Sequence, residues 1–316
     1  MDLVERMLAG EQRALARLIS CIEQDIPEVP EIMKRIYPSL GKAYCVGITG
    51  APGAGKSTIA DKLTAQARAQ GHTVGIIAVD PTSPFSGGAV LGDRIRMQQH
   101  YLDAGVFIRS MATRGSHGGL SQAAQGVLKL LDAFGKDLIV VETVGVGQTE
   151  LDIVETADTT VVVLVPEGGD AVQTMKAGLM EIADIFVVNK ADRDGAERTR
   201  MDLQMLAQMH GHDEPWQVPV VATQAHLNNG ISALAEAIAA HRRMLEETGR
   251  LQLRRGAHRR EELLELLQRR LLASLNARLE QDEGLLALVE QVQHATLDPY
   301  TAVQQILSEK GRLWES

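Results

Sequence analysis

The chain has 316 residues, 45% hydrophobic but only 3% aromatic, so it can bury a sizeable core built from Val, Ile, Leu, Ala and Met. Its 32 basic and 41 acidic residues leave a net charge of −9, which argues against a nucleic-acid-coating surface and leaves a polyanion only a local site of aimed N–H groups or a metal. No apolar run approaches the ~18–20 residues that cross a bilayer. Residues 1–20 carry Asp2, Glu5 and Glu11, unlike a signal peptide, and Cys21 and Cys45 form no CxxC pair, so a reduced, cytoplasmic setting is expected.

Residues 1–42 are predicted to form a helical extension. Leu3, Met7 and Leu8 recur with Ala14, Leu15 and Leu18 at helical spacing, Pro27 and Pro30 interrupt, and a short helix follows around Ile32–Ile36. Residues 43–245 alternate short β-branched runs with helical stretches. The predicted strands are Tyr44–Thr49, Thr73–Asp80, Val106–Ser110, Leu138–Glu142, Thr159–Val165, Asp184–Val188 and Val218–Val221. Several are apolar on both faces, which predicts an α/β fold with a mostly parallel central sheet flanked by helices. Residues 246–316 form a third, helical region with an apolar stripe of Leu263, Leu264, Leu267, Leu271 and Leu275. Gly284 ends that helix or starts the next, and Asp298 caps a last helix beginning at Pro299.

Gly50-Ala51-Pro52-Gly53-Ala54-Gly55-Lys56-Ser57, followed by Thr58, matches GxxxxGK[ST] in full, between an apolar strand and a helix-compatible stretch that ends at Gly71. Glycines let successive N–H groups turn inward toward phosphate oxygens, and the following helix adds its positive end. Lys56 is expected to reach the β- and γ-phosphates, and the Ser57 hydroxyl to ligate Mg²⁺. This is the P-loop NTPase arrangement.

Asn189-Lys190-Ala191-Asp192 follows the apolar run Ile185–Val188, at the C-terminal end of a strand where open α/β sheets bind ligands. Asp192 can accept hydrogen bonds from guanine N1–H and the 2-amino group, two donors that adenine lacks. Asn189 can bridge loops and meet the base on its other edge, and Lys190 can lay its stem along the base plane. Amides near Gln224 and Ala225 offer a contact to guanine O6; a plain strand-end loop is nearly as good a reading of that segment.

Asp80 ends a predicted strand, Asp93 sits in Leu91-Gly-Asp-Arg-Ile-Arg96, and Glu142 opens Glu142-Thr-Val-Gly145-Val-Gly-Gln148. Each acid alone could equally cap or pair. Beside a P-loop, the three together are expected to hold Mg²⁺, largely through water, and to orient the attacking water, with Lys56, Asp80 and Glu142 as catalytic candidates. A Gly145 N–H near the γ-phosphate would make the loop through Gln148 a switch, and Pro166–Asp170, running on to Lys176, a second mobile element. Arg94, Arg96 and Arg114 are arginines that could stabilise transition-state charge, though a surface role suits each better. His210-Gly-His212-Asp213 reads as a solvated loop rather than a metal site. Arg254, Arg255, His258, Arg259 and Arg260, followed by Glu261, Glu262 and Glu265, read as a salt-bridged helix face.

GAPGAGKST, VDPTSP, GDRIRM, ETVGVGQTE and NKAD, in this order, resemble the methylmalonyl-CoA mutase-associated GTPases of the MeaB/ArgK type, and the resemblance runs over most of the chain. It implies GTP hydrolysis with Mg²⁺, slow until a partner stimulates it. It also implies a homodimer joined through the C-terminal helices and a partner, an adenosylcobalamin-dependent acyl-CoA mutase, whose cofactor loading the GTPase gates and which it protects. Carried over, Lys56 and Ser57 hold phosphate and Mg²⁺, Asp80, Asp93 and Glu142 serve metal and water, Asp192 reads guanine, and Gln148, Asp170 and Lys176 belong to switches. Gln224 departs from the family, where Ser is commoner. Two other readings stay open: a metal-insertion GTPase, which needs a His-rich tract where this chain has nine scattered His, and a P-loop kinase for a small molecule, which would usually take ATP.

Overall fold

A computed structural model of the chain describes residues 2–81, 97–113, 122–143, 156–166, 179–210 and 215–308. Seven strands are β1 (Tyr44–Gly50), β2 (Val74–Pro81), β3 (Val106–Thr113), β4 (Leu138–Thr143), β5 (Thr159–Leu164), β6 (Ile185–Asn189) and β7 (Val220–Thr223). They form one sheet in the order β3-β2-β4-β1-β5-β6-β7, every pair parallel. Chain direction across the sheet reverses beside β1, so the crevice at its C-terminal end is where such a sheet takes a ligand.

The helices among the described residues are α1 (Leu3–Leu8), α2 (Gln12–Glu23), α3 (Val29–Ile36), α4 (Lys56–Ala69), α5 (Gln122–Ala133), α6 (Leu179–Ile182), α7 (Ala196–His210), α8 (Ile231–Glu247), α9 (Arg250–Gln281), α10 (Glu283–Gln293) and α11 (Pro299–Ser308). Alternation along the strands decides which helix covers which face. Val46, Ile48, Ile76, Val140, Val161 and Val163 pack with Ile59 and Leu63 of α4 and Ile231 and Leu234 of α8. Their neighbours Cys45, Ile77, Val79, Ile139 and Val141 face the other way, onto Leu15, Leu18, Ile19 and Ile22 of α2 and Val127, Leu130 and Leu131 of α5. Further along that second face, Val162, Leu164, Phe186 and Val188 pack on Ala196 and Leu203 of α7. Both faces are therefore dry, which is why the strands read as continuous apolar runs.

The helical lead-in breaks between α1 and α2 at Gly10, whose φ of +90° no helix can continue. Residues up to Arg255 form one compact unit, the N-terminal helices included, and those from Gly256 a second. The second unit holds the remainder of α9, then α10 and α11. Asp282 caps α10 by accepting from the Gly284 and Leu285 amides, and Asp298 caps α11 by accepting from Thr301 N. Among the described residues no helix is long and apolar enough to cross a membrane.

Candidate nucleotide site

β1 delivers the chain into the loop 50–57 at the centre of the sheet, and α4 leaves it. Two glycines are forced. Gly50 has φ +134° and a Cβ there would stand 2.0 Å from the Val163 carbonyl oxygen. Gly55 has φ +95° and a Cβ there would stand 2.2 Å from Asn189 Nδ2. The crest, Ala51, Pro52 and Gly53, is exposed, whereas Ala54, Lys56 and Ser57 are buried. Lys56 Nζ donates to the carbonyls of Gly50 at 2.7 Å and Ala51 at 3.0 Å, so its ammonium lies within the loop it serves.

Ser57 Oγ donates to Glu142 Oε1 at 2.5 Å. The two meet because Glu142 stands opposite Ile48 in the β1–β4 register and Ser57 lies in the first turn of α4. A hydroxyl and a carboxylate side by side at a phosphate loop are hard oxygen donors, and they fit Mg²⁺. Among the described residues no three His, Cys, Asp or Glu side chains cluster as metal ligands. That suits an ion whose remaining ligands are phosphate oxygens and water.

Asn189 ends β6 and is 3% exposed. Its Nδ2 donates to the Ala54 carbonyl at 2.7 Å, and its Oδ1 accepts from Thr223 Oγ1 at 3.0 Å and from the Ala225 amide at 3.2 Å. One side chain thus ties the phosphate loop to the ends of β6 and β7. Lys190 follows at φ +56°, a reversal that sends Asp192 out to an exposed turn. The amides expected to face the base are engaged within the chain: Gln224 N donates to the Asn229 carbonyl at 3.0 Å and Ala225 N to Asn189.

Asp80 lies next to last on β2, with its backbone paired to Ala112, so its main chain reaches the same edge of the sheet as Glu142. Asp93, Gly145, Gln148, Asp170, Lys176, Arg94, Arg96, Arg114, His212 and Asp213 lie outside the described residues.

The sequence reading missed a second polar centre, at the N-terminal ends of β5 and β6. Arg255 grips Asp158 with two bonds, Nε to Oδ1 at 2.8 Å and Nη2 to Oδ2 at 2.6 Å. Arg254 grips Asp184 at 2.8 and 3.0 Å and reaches the Asp158 carbonyl at 2.6 Å. These arginines therefore pair with the sheet rather than with glutamates on their own helix. His241 Nε2 lies 3.3 Å from Asp184 Oδ1, its Nδ1 is hydrogen-bonded to Thr159 Oγ1 at 2.8 Å, and Thr159 Oγ1 is in turn hydrogen-bonded to the Tyr44 hydroxyl at 2.5 Å. Burial, opposed by the Asp184 charge, holds the His241 pKa below the ordinary imidazole value. The available signal was the repeated Ala-Asp before a strand, at Ala157-Asp158 and Ala183-Asp184.

The model of the methylmalonyl-CoA mutase-associated GTPase MeaB matches residues 15–280. A Pyrococcus abyssi protein named as a GTPase is 52% identical over 98% of this chain and 96% of its own. GTPase ArgK of Escherichia coli is 34% identical over 96% and 94%. The mouse methylmalonic aciduria type A homolog, mitochondrial, is 31% identical over 95% of this chain and 77% of its own. A crystal structure of a LAO/AO transport system kinase superposes with a TM-score of 0.73 at 28% identity, covering 97% of this chain and 95% of that one. With the phosphate loop, the base motif and this match over most of its length, the chain belongs to the MeaB family of P-loop GTPases.

Proposed function

We propose that this GTPase is a chaperone of an adenosylcobalamin-dependent acyl-CoA mutase of the methylmalonyl-CoA type, gating cofactor loading and protecting the loaded enzyme. The observation that carries the reading is the family match over residues 15–280, whose name states association with that mutase. The Asn189 bridge supplies a physical route: phosphate loop and base loops are one hydrogen-bonded unit, so a change in nucleotide is felt at both. A switch must hold the two states apart by free energy, and moving a population from 1:99 to 99:1 takes ~5.5 kcal/mol.

In this reading the loop amides of residues 50–58 and Lys56 hold the phosphates, Ser57 and Glu142 hold Mg²⁺ with Asp80 and Asp93, and Asp192 reads the guanine edge. Bound Mg²⁺ neutralises charge on the β- and γ-oxygens. Gly145 and Gln148, and Asp170 with Lys176, belong to the switch segments. The protein works in the cytoplasm as a homodimer joined through residues 246–316. Leu263, Leu267 and Leu272 of α9 are 63, 50 and 59% exposed, which is costly for an unpartnered helix.

The test is GTP turnover with and without the purified mutase. Stimulation of tenfold or more supports the assignment, on the scale of partner effects on GTPases, about 10³–10⁵ where an arginine is supplied. An unchanged rate at saturating mutase overturns it.

A further inference from the structure

A cleft of about 300 Å³ lies between α4 and α8, beside the N-terminal ends of β1 and β4. It shares no residue with the nucleotide site. Its floor is apolar: Tyr44 and Val46 of β1, Leu138 and Val140 of β4. Its walls mix wide and narrow side chains, Leu63 and Ala67 on α4 and Ile238 with Ala235 and Ala239 on α8, and leucines at the alanine positions would close the gap. The size is at the lower end for ligand sites.

The mouth carries a different chemistry. Lys42, His72 and Arg242 all line it, in a chain whose net charge is −9. Asp137, the one acid among the described lining residues, is turned to the start of the neighbouring strand β2, where its Oδ2 accepts from Thr73 N at 2.7 Å and Thr73 Oγ1 at 2.8 Å. The Arg242 guanidinium is stacked 4.9 Å over the Tyr44 ring, with Nε on Glu246, which stations the cation between floor and solvent. A neutral hydrocarbon would leave Lys42 without an anion and Arg242 with Glu246 alone, and a small inorganic anion would leave the floor dry and unfilled.

We propose that this cleft binds an amphipathic monoanion, a single aliphatic chain ending in a carboxylate. The chain lies between the facing alanines over Val46 and Val140, and the carboxylate meets Arg242 and Lys42. The occupant also touches Leu63, two turns beyond Lys56 on α4, so it contacts the helix that begins at the phosphate loop.

The experiment is calorimetric titration of the full chain with octanoate, 1-octanol, octylamine and acetate. Saturable one-to-one binding of octanoate is expected, at least tenfold tighter than 1-octanol, with neither octylamine nor acetate bound. Ala235→Leu fills the cleft, and the double charge reversal Lys42→Glu with Arg242→Glu inverts its mouth. Each should weaken octanoate at least tenfold while GDP affinity stays at the wild-type value. Absence of saturable octanoate binding, equal binding of octanoate and 1-octanol, or undiminished binding by both variants overturns the proposal. Should Ala235→Leu fail to fold, the charge reversal decides alone, since both side chains are at the surface. Failure of GDP binding in the wild type would count against the nucleotide reading and leave this one standing.

Discussion

Asn189 makes three buried hydrogen bonds, to Ala54, Thr223 and Ala225, and Asn189→Ala removes all of them. Each such bond is worth ~0.5–1.5 kcal/mol net. The three sum to about 3 kcal/mol, before any penalty for the Ala54 carbonyl and Ala225 amide left in a dry interior. Against a typical folding free energy of ~5–15 kcal/mol that is a large loss. Asn189→Asp is the sharper probe. It keeps an oxygen for Thr223 and Ala225 but sets a carboxylate oxygen against the Ala54 carbonyl, so it acts on the phosphate loop alone. Urea unfolding at neutral pH, with and without GDP, measures both variants. The alanine variant should lose about 3 kcal/mol, and both should bind GDP at least tenfold more weakly. If the alanine variant unfolds within ~0.5 kcal/mol of wild type, the range of an ordinary surface substitution, the bridge is not what joins the loops.

Gly55→Ala places a Cβ 2.2 Å from Asn189 Nδ2 at φ +95°, and should cost ~1–3 kcal/mol and weaken GDP binding; combined with Asn189→Ala the loss should be less than additive in a double-mutant cycle, because the clash has gone. Arg255→Met leaves Asp158, whose side chain is 4% exposed, without its cation, and should lower stability by ~3–5 kcal/mol in a urea titration. His241 has a folded pKa below its unfolded value, so the unfolded chain takes the proton first; stability is full above pH ~6.5 and falls as pH drops below it, and a His241→Gln comparison from pH 7 to 5 should show a shallower decline. Burial brings the Lys136 pKa down to about 8, so between pH 8 and 10 the unfolded chain binds more protons and wild-type stability should rise relative to Lys136→Met, by ~1 kcal/mol per pH unit.

The strands were legible because both faces of the sheet are covered, which turns each into an unbroken β-branched run. Boundaries were set by chemistry that a run does not carry. The last strand begins at Val220 rather than Val218 because Pro219 has no N–H to pair, and its carbonyl instead accepts from Phe186. β3 continues past Ser110 to Thr113 because β2 is there to pair with it as far as Pro81. The phosphate loop and Asn189 were legible from residue type and order, since only glycine fits at 50 and 55 and a carboxamide offers a donor and an acceptor on two separate atoms. The partners of Arg254 and Arg255 were not. Glu261 and Glu262 are close in sequence, but Asp184 lies 70 positions before Arg254 and Asp158 lies 97 before Arg255, and the sheet brings them together.

The central claim is that a guanine nucleotide is held here, its phosphates by residues 50–57 and its base by the Asp192 carboxylate. The most direct measurement is GDP against ADP affinity for wild type and for Asp192→Asn. Wild type should prefer GDP by at least tenfold, and the variant should lose ~1–3 kcal/mol of that preference, the worth of a bidentate base contact. Equal affinities in the wild type, or a preference that survives the substitution intact, would contradict the account.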